Sequence, residues 1–218
     1  MIKFQNVEKK YKLPGGGYKV ILEHLNMTFP RRNIGLIGAN GAGKSTLLKM
    51  ISGAELPDRG RIKREVEVSF PLGFSGSFNG SLTGLENTRF VARIYGKDTE
   101  QVIDYVQDFA ELGSHFYAPV KTYSSGMRAR LSFGVSLAID FQCYLVDEIT
   151  AVGDQRFKRK SRRAFQDILE KANIIMVSHS DGTLKDYCDM GIIVRDGKLT
   201  VFDDLDDAIK DHTDFMKR

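Results

Sequence analysis

Between Gly35 and Gly53 the chain reads GLIGANGAGKSTLLKMISG, a run whose glycines, lysine and hydroxyls are spaced to hold an anion. Gly38, Gly43, Lys44 and Ser45 fit the pattern G-x-x-x-x-G-K-[ST]. Ile34, Leu36 and Ile37 before the glycines read as a short buried strand, and the residues from Lys44 onward as a helix, which is the setting that pattern requires. Glycines at 38, 41 and 43 let backbone N–H groups approach phosphate oxygens, while the helix turns its positive dipole end toward the same anion. Lys44 then neutralises the β- and γ-phosphates, and the Ser45 hydroxyl ligates Mg²⁺. The expected ligand is a nucleoside triphosphate.

Further chemistry sits at the ends of two apolar runs. CYLVDE, Cys143 to Glu148, and IIMVSH, Ile174 to His179, read as central parallel strands, and ligands collect at the carboxyl ends of such strands. That would bring Asp147, Glu148 and His179 toward the phosphates. Asp147 suits a second anchor for Mg²⁺ through water, Glu148 the base for an attacking water, and His179 a sensor of the γ-phosphate. Farther up the chain, Ser124, Ser125 and Gly126 precede a run with Leu131, Val135, Leu137 and Ala138 at helical spacing, giving a second helix start able to face an anion.

These groups must be carried by a scaffold, and 218 residues suffice for one α/β domain with a smaller part inserted in it. Residues 2 to 30 alternate apolar and polar positions around the turn LPGGGY and read as antiparallel strands. A helix over 44 to 52 closes at Gly53, and PDRG turns into short strands ending near Phe70. From Pro71 to Gly84 the texture changes to Gly and Ser, followed by the helical patterns LENTRFVARIYG and TEQVIDYVQDFAEL, so 71–139 reads as an inserted helical subdomain. Phe74 and Phe78 in its entry loop either dock a partner or pack within that subdomain.

The net charge of +4 makes the surface mildly basic, which discriminates poorly among anionic partners. The basic run KRKSRR shares a helix with Phe157, Phe165, Ile168 and Leu169 and reads as a solvated face, so no nucleic acid is expected. Cys143 and Cys188 lack any metal or redox spacing and read as buried free thiols. No apolar run approaches the ~20 residues that span a bilayer, so a membrane role would require a partner.

With these motifs in hand, the sequence resembles the nucleotide-binding subunits of ATP-binding cassette (ABC) transporters. GANGAGKST, with Gly38, Ala39, Asn40, Gly41, Ala42, Gly43, Lys44, Ser45 and Thr46, looks like Walker A; CYLVDE looks like Walker B; and YSSGM looks like the LSGGQ signature. The resemblance carries Tyr11 onto the aromatic that stacks on adenine, Asp154 of AVGD onto the D-loop, and His179 onto the switch histidine. It implies a P-loop NTPase fold with a central, mostly parallel sheet, an N-terminal antiparallel β subdomain and an inserted helical subdomain. Tyr123, Ser125 and Met127 depart from the usual signature, and 71–84 holds no glutamine where the family has its Q-loop residue.

SLTGLEN together with AVGD and YSSGM resembles the branch that exports capsular polysaccharide, O-antigen and teichoic acid, and the short form looks most like the capsular polysaccharide subunit. The implied activity is ATP hydrolysis coupled to polysaccharide export through a membrane permease. The implied setting is the cytoplasmic side of the bacterial inner membrane, with ATP and Mg²⁺ as cofactors. An ATP-bound homodimer is implied too, in which Ser124 and Gly126 of one copy complete the site of the other. A weakly hydrolysing nucleotide-binding regulator, or an O-antigen or teichoic acid exporter subunit, is the alternative.

Overall fold

The computed structural model describes residues 1–72, 78–147 and 155–217. In chain order its elements are strands β1 (Ile2–Lys12), β2 (Tyr18–Phe29) and β3 (Ile34–Ile37), helix α1 (Lys44–Ser52), and strand β4 (Arg59–Arg64). Helices α2 (Gly84–Ile94), α3 (Thr99–Ala110) and α4 (Ser125–Leu137) follow, then β5 (Cys143–Asp147), α5 (Gln155–Leu169), β6 (Asn173–Val177) and α6 (Asp181–Tyr187). The chain ends with β7 (Met190–Arg195), β8 (Lys198–Phe202) and α7 (Leu205–Met216). The eight strands with α1, α6 and α7 form one compact unit, and α2 to α5 form a second. The helix carrying the basic run therefore groups with the other helices, although it lies outside 71–139.

In the first unit β2, β1 and β4 make an antiparallel sheet in that order. The other sheet has the order β5-β6-β3-β7-β8, parallel except for the last pair. Apolar alternation in β1 puts Ile2, Phe4 and Val7 into the core, where Phe4 meets Phe29 with ring centroids 5.2 Å apart. The helical spacing of Leu47, Leu48, Met50 and Ile51 buries one face of α1 against the same core. The other end of α1 is closed by Arg64, which donates to the carbonyls of Ile51 at 2.6 Å and Met50 at 2.5 Å, placing a cation at the negative end of the helix dipole.

Strand β5 would be an open edge were it not for the segment just after β4. The Ser69 N–H donates to the Cys143 carbonyl, and the Leu145 N–H donates to the Ser69 hydroxyl, each at 2.9 Å. Cys143 and Cys188 are both buried free thiols, and burial pushes each up to about 12.

The second unit starts from a capping box on α2. The Thr83 hydroxyl accepts the Glu86 N–H at 3.1 Å, and the Glu86 carboxylate accepts the Thr83 N–H at 2.8 Å. Phe109 of α3 lies 5.9 Å from Phe133 of α4 and 5.6 Å from Phe157 of α5, joining three helices through one aromatic cluster. Helix α5 buries Phe157 and Phe165 and exposes Lys158, Arg159, Arg162 and Arg163, as its pattern implies. Phe78 is half-buried, and Phe74 lies outside the described residues. Among the described residues no helix is long and apolar enough to cross a membrane.

Ser69→Ala leaves the Leu145 N–H buried without its acceptor. A loss of about 1–3 kcal/mol in unfolding free energy is expected from denaturant titration. An unchanged midpoint would mean that the strand edge does not depend on this bond.

Candidate functional site

The glycine loop joins β3 to α1, and its shape is set at Gly43. This residue caps the helix at φ 108°, in the left-handed region, and a Cβ there would stand 2.6 Å from Ile21 Cγ2. Only glycine meets both conditions. Helix α1 has neither a side-chain cap nor an acidic residue in its first turn, whereas α2, α3, α4, α6 and α7 each begin with a capping side chain. Its leading N–H groups are thus left to an external acceptor, and with the helix dipole they make an anion site.

Lys44 folds back over the loop. Its ammonium donates to the carbonyls of Gly38 at 2.6 Å and Ala39 at 3.1 Å, and the Ala42 N–H closes a turn onto Ala39 at 3.1 Å. A cleft of about 290 Å³ opens here. Asn40, Gly41, Gly43, Lys44, Ser45 and Thr46 line it from the loop and helix, Asp147, Val177 and His179 from strand ends, and Tyr11, Lys19 and Ile21 from the hairpin. Sheet register brings the strand ends together: Leu36 pairs with Val177, and Val177 pairs with Asp147. His179 follows two residues after the end of β6.

Ser45 and Asp147 offer this cleft one hydroxyl and one carboxylate. Among the described residues no group of three or more His, Cys, Asp or Glu could hold a metal unaided. Two hard oxygen donors fit Mg²⁺, which keeps much of its shell as water and phosphate oxygens.

On the hairpin side, register shifts within β1 around Val7, Lys9 and Lys10 turn Lys9 inward, and it is only 8% exposed. Its ammonium meets Glu55 at 2.8 Å and the Leu56 carbonyl at 2.9 Å. The Tyr11 hydroxyl donates to the same Glu55 carboxylate and lies 3.5 Å from the Thr46 hydroxyl. Burial opposes charge on both ion-pair partners, yet their mutual attraction wins: Glu55 is held below the usual carboxylate range and Lys9 above the usual lysine range. Burial, with the bond to Glu55, raises Tyr11, which stays a neutral phenol. The family resemblance singles out Tyr11, which lines this cleft, but not its partner Glu55, for which no spacing pattern gives a signal. Sequence reasoning also missed Lys19, although counting back across the LPGGGY turn sets Tyr11 opposite Lys19.

The signature residues belong to the second unit. Ser124 is the N-cap of α4, its hydroxyl accepting the Met127 N–H at 3.2 Å, and Ser125 and Gly126 open the helix. Tyr123, which replaces the usual leucine, is buried and donates its hydroxyl to the His115 carbonyl at 2.6 Å. A Cβ on Gly84 would lie 2.5 Å from that hydroxyl and 3.0 Å from the Phe116 carbonyl oxygen, so the tyrosine fits only beside a glycine. Glu148 and Asp154 lie outside the described residues.

Comparison with known proteins agrees with this geometry. The family model for the ABC transporter matches residues 22–151. The chain belongs to that family. The Polysialic acid transport ATP-binding protein KpsT of Escherichia coli is 50% identical over 216 residues, covering 97% of this chain and 98% of its own length. The Capsule polysaccharide export ATP-binding protein CtrD of Neisseria meningitidis serogroup B is 46% identical over 209 residues, covering 95% of this chain and 96% of its own. A dimeric ATP-binding cassette solved in a post-hydrolysis state with ADP and Pi superposes with a TM-score of 0.73, covering 92% of this chain and 98% of its own. At 19% identity it shows that the ABC fold is shared.

The Lys9–Glu55–Tyr11 network has a pH signature. Glu55 has a folded pKa below 4.5, so its contribution to stability is present above that value and is lost as the pH falls through the depressed pKa. Glu55→Gln is expected to lower the thermal midpoint at neutral pH and to flatten the acid limb of the stability profile. An acid limb as steep as in the unaltered chain would mean that the carboxylate is not held by this network.

Proposed function

We propose that this chain is the ATP-hydrolysing subunit that powers export of a capsular polysaccharide through a membrane-embedded partner. The observation that carries the reading is end-to-end identity of about half to an ABC-family relative named for polysialic acid transport. The relative named for capsule polysaccharide export supports it. The uncapped start of α1, with Lys44 above it, supplies the matching chemistry.

In this reading the three phosphates settle on the loop N–H groups and the leading turn of α1. Lys44 exchanges the neutral carbonyls of Gly38 and Ala39 for phosphate oxygens, and a bond to an anion is roughly twice as strong as one to a neutral acceptor. Ser45 and Asp147 would hold Mg²⁺, which would offset phosphate charge. Tyr11, fixed through its hydroxyl by Glu55, offers its ring to adenine. Glu148, one position beyond β5, takes the proton of the attacking water, and His179 donates toward the γ-phosphate.

Two copies close head to tail, so that Ser124 and Gly126 of one copy face the nucleotide of the other. The dimeric form of the solved cassette of like fold supports the pairing of two copies. Hydrolysis then loosens the pair, and the second unit passes the change to the permease at the cytoplasmic face of the inner membrane. Copurification from solubilised membranes tests the transport assignment: a multispanning subunit should accompany the chain and raise its ATPase rate. Recovery of the chain without any membrane protein would point to a nucleotide-binding regulator.

Two substitutions test the site. Lys44→Ala should abolish ATP binding measured by calorimetry with the circular dichroism spectrum retained, and undiminished affinity would remove the phosphate-loop assignment. Glu148→Gln should still bind ATP, lose at least ~10²-fold in hydrolysis, and accumulate as a dimer in Mg-ATP. A monomer by light scattering under saturating nucleotide would count against the composite site.

A further inference from the structure

The cleft holds a second cation that the family motifs do not name. Lys19 lies on β2 directly opposite Tyr11 on β1, and opposed residues of an antiparallel pair project from the same face. Both side chains line the cleft. The Lys19 ammonium reaches across to the phosphate loop, for a Cβ built on Gly41 would stand 3.1 Å from its Nζ. Among the described residues that ammonium makes no hydrogen bond, ion pair or ring contact.

The charge balance points the same way. Among the described residues that line the cleft, two ammonium ions, Lys19 and Lys44, face one carboxylate, Asp147. If Asp147 is engaged with a divalent cation, both ammonium charges are left to be met by the ligand. Lys44 is already directed at the loop by its carbonyl bonds, whereas Lys19 approaches from the hairpin. A ligand that bears several anionic oxygens at Gly41 would satisfy both at once.

We propose that Lys19 is a second phosphate-binding cation, donating to the polyphosphate tail of the nucleotide from the hairpin side while Lys44 donates from the helix. The proposal rests on the reading of this cleft as the ATP site. It adds a feature that the glycine loop alone does not provide: one register pair delivers the aromatic that meets the base and the cation that meets the phosphates. The β1–β2 hairpin then grips both ends of the nucleotide. Lys19 acts on binding and leaves the water-activating groups untouched.

The test compares Lys19→Met and Lys19→Arg with the unaltered chain by calorimetric titration of Mg-ATP at two salt concentrations, with adenosine as a competitor. A lost charge-assisted bond corresponds to about a tenfold weaker Kd for Mg-ATP in Lys19→Met. The salt dependence should be shallower, the affinity for adenosine should stay within about twofold, and Lys19→Arg should keep most of the ATP affinity. The thermal midpoint without nucleotide should not move, because the side chain is exposed. Mg-ATP binding within about twofold of the unaltered chain overturns the proposal. So does an equal loss for ATP and adenosine, which would mark a disturbed hairpin. An unaltered chain that binds no Mg-ATP overturns the ATP-site reading itself, and the Lys19 role with it.

Discussion

The cleft depends on one close approach, that of Ile21 to Gly43. With 2.6 Å between Ile21 Cγ2 and the place a Cβ would occupy, β2 sits directly on the residue that ends the loop and begins α1. This contact fixes the loop against the hairpin, which brings Tyr11 and Lys19 to the same opening as Lys44. A side chain at Gly43 would both strain the backbone and lift the hairpin. The anion site and the aromatic beside it are therefore one packing problem, solved in the core cluster that holds Ile21, Leu47 and Leu48.

The parallel sheet supplies the other wall by register. Since β3, β6 and β5 run side by side in the same direction, their carboxyl ends arrive together and Asp147 lies level with Val177. Electrostatics then divides the cleft. Beside Tyr11 the Lys9–Glu55 pair is internally neutral and serves to hold a phenol, while on the loop side, among the described lining residues, Lys19 and Lys44 outnumber Asp147. A molecule with an aromatic head and an anionic tail matches that division from end to end.

Much of this was legible in the sequence because it is local. The phosphate loop, the helix ending at Gly53, the strands CYLVD and NIIMV, and the helices after Thr83 and Asp98 each carry their signal within a few residues. The β7–β8 hairpin also had one, Asp196-Gly197 with positive φ at both positions between apolar strands, and went unread. Strand β4 begins within the PDRG turn and ends at Arg64, with a single bridge at Val68 in place of further strand. What could not be read depends on distant pairs. Glu55 meets a Lys9 that a bulged strand turns inward, and the hydroxyl of Tyr123 fits because Gly84, 39 positions earlier, leaves room for it. The placement of α5 with the helical unit likewise follows from the contact of Phe157 with Phe109, which no periodicity encodes.

The two cysteines have a practical consequence. Both thiols are buried, and both are held protonated far above neutral pH by that burial, so neither presents the thiolate that alkylating reagents attack. Cys143 is also clasped by backbone bonds to Glu67 and Ser69. Its modification must wait for that edge of the sheet to part, which makes the rate of native thiol labelling a clock for opening of β5. A single cysteine introduced at an exposed position would react against a nearly silent background, so the chain is ready for site-specific probes without removal of its own sulfur.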